Sequence, residues 1–112
     1  MPESRTQPRM LVVHDCPDVV GEVSNLLAGW WIGVADHGDL AIDEAVHVDV
    51  VLVDLSREPV DGWFVLARLA SEVAVVAVGS HRQASRALRL GATAFATSFA
   101  ALGGALDQTL VA

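Results

Sequence analysis

The stretch VVLVDLSREPVDGW, residues 50–63, places an aspartate, Asp54, where an apolar run gives way to a turn segment containing Pro59 and Asp61-Gly62. From Val48 to Val53 the run is uniformly apolar apart from Asp49, which suits a central parallel strand covered on both faces. Behind the turn, Gly62–Ala70 sets Trp63, Val65, Leu66 and Leu69 at helical spacing. Strand, loop and helix thus follow in order, with a carboxylate at the point where the strand leaves the core.

The same unit repeats on either side. Residues 1–9 read as a flexible tail and residues 10–112 as one domain. Met10–His14 is a short apolar strand, followed by the turn Asp15-Cys16-Pro17-Asp18. Pro17 and Asp18 suit the opening of a helix, because proline needs no N–H partner there and an acid complements the helix dipole. Val19, Val20, Val23, Leu26 and Leu27 recur at spacings of three and four, and Gly29 stops that helix. Trp31–Ala35 is a second strand in which one of Trp30 and Trp31 faces inward and its neighbour outward. Leu40, Ile42, Ala45 and Val46 support a short second helix. Val73–Val78 is a fourth strand ending in Gly79-Ser80, and Arg82–Leu90 a helix carrying Arg82, Arg86 and Arg89 on one face. Gly91 closes it, Thr93–Thr97 is a fifth strand, and Phe99–Val111 a last helix weakened by Gly103-Gly104. Five βα repeats with short connections imply an α/β domain: a doubly wound parallel sheet with helices on both faces.

Composition narrows the function. In 112 residues, 53% are hydrophobic and the net charge is −7, which argues against nucleic-acid contact by this chain. No apolar run approaches the roughly 18–20 residues of a membrane helix. The polar, proline-containing start MPESRTQPRM does not read as a signal peptide, so a cytoplasmic protein is expected. One cysteine, Cys16, supports neither an internal disulfide nor a zinc site. All seven basic residues are arginines, so the chain has no lysine.

In sheets of this kind ligands bind beyond the carboxyl ends of the strands. His14 and Asp15 end the first strand and Asp54 the third, so neighbouring strands bring them to one rim. Carboxylates at such a rim repel one another unless a cation intervenes, and Asp15 and Asp54 together suit Mg²⁺, which prefers oxygen ligands. A metal-screened carboxylate is also a nucleophile toward phosphorus. Equally, Asp54 is the kind of residue that simply ends a strand before a turn, and His14 either belongs to the site or is a partly solvated strand end.

Over residues 9–112 the chain resembles the CheY-like receiver domain of bacterial response regulators. LVVHDCPD (11–18) is similar to the family's first-strand motif, residues 50–63 to its phosphoacceptor motif, and GATAFATSF (91–99) to its fifth-strand motif. The resemblance implies a single five-stranded parallel sheet of order 2-1-3-4-5. It implies that Asp54 accepts phosphate from a histidine kinase or phosphotransfer protein in a two-component or phosphorelay pathway. Mg²⁺ would be held by Asp15, Asp54 and the Ser56 backbone carbonyl, with His14 at the family's other acidic position. A receiver is a phosphoprotein signalling through contacts, not a turnover enzyme.

Four departures set this chain apart from that pattern. His14 replaces an acid, and neutral imidazole accepts through one nitrogen only. Ser98 stands where the family has lysine, offering a hydroxyl without charge; Arg82 is within reach in principle, while Arg57 reads as solvated. Gly79 aligns with the family's phosphoryl-binding Thr or Ser, with Ser80 serving if the strand slips by one residue. Only 12 positions separate Gly79 from Gly91, which shortens the fourth helix by about one turn of 3.6 residues. The retained nucleophile favours an atypical receiver. The lost lysine and hydroxyl favour a phosphorylation-independent docking or dimerisation module. FAALGGALDQTLVA carries Asp107 as its one charge, which favours a homodimer or a docking surface, and the resemblance implies the fourth-helix to fifth-helix face for it.

Overall fold

The computed structural model describes residues 8–14, 17–36, 38–55, 62–102 and 104. Five strands form one parallel sheet: β1 (Arg9–Val13), β2 (Trp31–Ala35), β3 (Val50–Asp54), β4 (Ala74–Val78) and β5 (Ala94–Ala96). Their spatial order is β2-β1-β3-β4-β5. Between them run α1 (Pro17–Leu26), α2 (Gly38–Glu44), α3 (Gly62–Leu69) and α4 (His81–Arg89). A 3₁₀ turn at Phe99–Ala101 follows β5.

The three central strands are valine-rich because both their faces are covered, and period-two alternation sorts their side chains between two cores. Leu11, Val13, Val51, Val53, Val75 and Ala77 share one face with Ala41 of α2, Val65 and Leu66 of α3, and Ala87 of α4. Met10, Val12, Val50, Leu52, Val76 and Val78 share the other with Val23 and Leu27 and with Leu102 beyond β5. All of β3 is buried, Asp54 included. Among the described residues helices therefore cover both faces, with α1 on one and α2, α3 and α4 on the other.

Several boundaries differ from the sequence expectation, each for a local reason. Val23 of α1 and Leu27, just after it, point inward, while Leu26 is 48% exposed. Gly29 adopts φ +94°, the left-handed turn that ends the segment. The second helix stops at Glu44, and Ala45–His47 is a 3₁₀ turn that buries Ala45 and leaves Val46 in solvent. The third strand begins at Val50 because Asp49 is engaged with Arg9: the Asp49 N–H donates to the Arg9 carbonyl at 2.9 Å, and the Arg9 N–H to Asp49 Oδ2 at 2.9 Å. Most of the expected last helix lies outside the described residues, as do residues 1–7 of the expected tail 1–9, whose last residue, Arg9, instead begins β1. Among the described residues no helix is long and apolar enough to cross a membrane.

Candidate functional site

Registry builds the site. The pairing Val13↔Val53 aligns the carboxyl ends of β1 and β3, so that His14, the next residue, comes beside Asp54. The His14 N–H donates to the Ala35 carbonyl at 3.0 Å, which carries the chain straight on past the end of β1. Its ring lies 3% exposed, and Nε2 is 3.1 Å from Asp54 Oδ2. A carboxylate oxygen can only accept, so this contact puts the proton on Nε2. His14 is therefore a buried partner of Asp54 and not a solvated strand end.

On the other side, Asp54↔Val78 pairs β3 with β4 and brings Gly79 to the rim. The Leu55 N–H donates to the Val78 carbonyl at 2.9 Å, and the Gly79 N–H to the Ala96 carbonyl at 3.1 Å. Ser80 is the N-cap of α4. Gln83 reaches back, its Oε1 accepting the Ser80 N–H at 2.8 Å, the reciprocal half of a capping box. A Cβ built at Gly79 would collide with that same Oε1. Gly79 thus leaves the space that Gln83 occupies to cap the helix.

A cleft of about 630 Å³ opens over these strand ends, bordered by Glu22, Asp54, Gly79, Ser80, Thr97 and Ser98. Asp54 is 8% exposed and forms part of its floor. Ser98 is exposed at the end of β5, on the same cleft. Glu22 and Thr97 were not singled out from the sequence. Glu22 follows Asp18 by four residues on α1, so helical spacing put both on one side of the helix, but only the packing of α1 against the sheet shows that Glu22 reaches this rim. Arg82 is exposed on α4. Asp15, Ser56 and Arg57 lie outside the described residues.

The expected Mg²⁺ can be weighed against the donors that are described. Mg²⁺ asks for a near-octahedral shell of oxygens. Here the Asp54 carboxylate is paired with a ring nitrogen, and among the described residues no group of three His, Cys, Asp or Glu side chains could hold a metal ion. Of the expected Mg²⁺ ligands, Asp54 and His14 are among the described residues, and Asp15 and Ser56 lie outside them.

Solved structures match this architecture along nearly its whole length. A receiver domain of a Francisella response regulator aligns with TM-score 0.75 at 18% identity, over 94% of this chain and 96% of that one. A response regulator from Thermotoga maritima aligns with TM-score 0.77 at 17% identity, over 95% and 99%. A signal receiver domain of an HD domain-containing protein from Pseudomonas fluorescens gives TM-score 0.76 at 18% identity, over 94% and 95%. The chain has the CheY-like receiver fold. No protein-family model matches the sequence, and no curated protein matches it. On the receiver fold, Asp54 stands at the end of the central strand, with His14, Gly79 and Ser98 around it on the rim.

Proposed function

We propose that the chain is an atypical receiver module of two-component or phosphorelay signalling, with Asp54 accepting a phosphoryl group from a histidine kinase or phosphotransfer protein. The observation that carries this reading is the placement of Asp54: held rigidly at the end of β3, largely buried, yet bordering the open cleft. In the transfer a carboxylate oxygen of Asp54 attacks phosphorus and the donor's phosphorus–nitrogen bond breaks. The product is an acyl phosphate, and the departing imidazole nitrogen regains a proton from solvent. Around the incoming group the rim supplies neutral hydroxyls, at Ser80, Thr97 and Ser98. Charge-assisted hydrogen bonds are about twice as strong as neutral ones, so the phosphoryl group is held more weakly than an ammonium would hold it. The resulting shift of conformational population is correspondingly small. The module signals by contact and does not turn over a substrate.

A second reading, a docking module independent of phosphorylation, draws support from the His14–Asp54 hydrogen bond, which already engages one carboxylate oxygen. Intact mass after incubation with acetyl phosphate separates the two. A gain of one phosphoryl mass, absent from an Asp54→Asn control, supports the receiver. An unchanged mass supports the docking module.

A further inference from the structure

We propose that the exposed edge of β2 is a self-association surface, at which two copies of this chain pair their β2 strands antiparallel about a two-fold axis and join two five-stranded sheets into one. The pairing is independent of phosphoryl transfer at Asp54, and it uses a face other than the fourth-helix to fifth-helix face expected from the sequence. Three observations carry it.

The first is the state of the edge. β2 lies at one end of the sheet and β5 at the other. Proteins protect such edges by keeping them short, or by placing charge, proline or a bulge on them. β5 is three residues long. β2 runs for five, WIGVA, with no charge and no proline, and its Trp31 and Val34 are 42% and 46% exposed. The second is the phase of the hydrogen bonds. The Trp31 N–H donates to the Pro8 carbonyl at 2.9 Å, and the Ala35 carbonyl accepts the His14 N–H at 3.0 Å, so the odd-numbered residues of β2 face β1. Alternation along the strand turns the N–H and C=O of Ile32 and Val34 the other way, out from the edge. In an antiparallel pair centred on Gly33, Ile32 of one copy and Val34 of the partner subunit exchange both hydrogen bonds, and the two Gly33 residues meet at the close, non-hydrogen-bonded position. Trp31 covers that centre, since a Cβ built at Gly33 would meet its ring at 2.9 Å. The third is charge. Arg9 stacks on Trp31 at one end of β2, 4.3 Å from the ring centroid, and the exposed Asp36 follows the other end. Antiparallel pairing sets the Arg9 end of each copy beside Asp36 of the partner subunit, twice by symmetry. The two-fold also closes the assembly, because it uses both β2 edges and turns only the short β5 edges outward.

The test is sedimentation equilibrium of the whole chain over a range of concentrations. Wild type is expected to approach twice the 11.8 kDa of one chain as concentration rises. Val34→Pro removes an outward N–H without touching a bond to β1, and Val34→Lys places a charge on the edge. Each, with its fold checked by circular dichroism, is expected to stay monomeric. Leu88→Lys, at an exposed position of α4, is expected to leave association unchanged. Arg9→Glu should weaken association about fivefold, and adding Asp36→Arg should restore it. Should neither Val34 variant fold, amide hydrogen exchange of wild type decides, with Ile32 and Val34 expected to exchange more slowly as concentration rises. The proposal is overturned if the mass stays that of one chain up to about 1 mM, or if a dimer survives both Val34 variants. It is equally overturned if Leu88→Lys abolishes the dimer, if the charge swap brings no recovery, or if exchange at Ile32 and Val34 is independent of concentration.

Discussion

Arg86 of α4 stacks on Trp63 of α3, its guanidinium carbon 4.3 Å from the ring centroid. Trp63 is the second residue of α3, directly after Gly62, and a Cβ at Gly62 would lie 3.0 Å from the Asp54 carbonyl oxygen. The start of α3 is therefore pressed against the end of β3, and Arg86 ties α4 to that same point. A cation over an indole at an exposed site contributes about 0.5–1 kcal/mol. Arg86→Ala is expected to lower unfolding free energy by that amount. A double-mutant cycle with Trp63→Leu in urea should return a coupling of similar size, and a coupling near zero would mean that the stacking is incidental.

Gly62→Ala should be more damaging than an ordinary substitution in the first turn of a helix. The added methyl meets backbone, the Asp54 carbonyl at 3.0 Å, and the Leu55 side chain at 3.3 Å. Backbone cannot swing aside as a side-chain tip does, so α3 must shift, at a cost of about 1–3 kcal/mol typical of overpacking. A midpoint of urea unfolding equal to that of wild type would show that the contact relaxes freely.

His14→Leu keeps an apolar side chain in a buried position but withdraws the donor from Asp54. Hydrogen bonds to charged groups contribute about 1.5–3 kcal/mol. The expected loss is of that order, measured by urea unfolding. In an Asp54→Leu background the same change at His14 should cost less, because the His14–Asp54 hydrogen bond is already gone. Equal losses in the two backgrounds would show that the His14–Asp54 hydrogen bond adds nothing to stability.

The legibility of this molecule follows the reach of each signal. β3 could be read because its run is uniformly apolar and long enough to admit no other face pattern, and Asp54 came with it. The burial of His14 could not, since one residue beyond a strand lies outside any periodicity; only the β1–β3 register fixes its neighbour. Val46 misled the second helix because an apolar residue at helical spacing looks inward, yet the backbone tightens at Ala45 and turns it to solvent. Ser80 and Gln83 did carry a local signal, the spacing of a capping box, but the alignment drew attention to Ser80 as a ligand instead of a cap. Glu22 reaches the cleft through packing of whole elements, which no window of sequence contains.

Ser98→Lys restores a charge to the rim. Ser98 borders the same cleft as Asp54, so a lysine there can reach toward a phosphoryl group on Asp54. Replacing a neutral donor by a charged one adds about 1 kcal/mol to a hydrogen bond, or roughly fivefold in an equilibrium. At a fixed, subsaturating acetyl phosphate concentration the phosphorylated fraction by intact mass should rise by about that factor. No rise, in a protein whose Asp54 does take phosphate, would mean that the lysine points away from the cleft.

Gly79→Thr, which supplies the hydroxyl found at this place in the family the sequence resembles, should be unfavourable on its own. The new Cβ meets Gln83 Oε1, and that oxygen holds the Ser80 N–H at 2.8 Å. Gln83 is the flexible end of the clash, so it moves and the cap is lost, at about 0.5–2 kcal/mol. With Gln83→Ala already in place the cap is gone before threonine arrives, and Gly79→Thr should then cost little or nothing. Thermal unfolding of the four proteins in this cycle measures the coupling directly. Strict additivity would show that Gln83 does not occupy the space above Gly79, whereas the expected coupling ties the missing hydroxyl at Gly79 to the capping of α4.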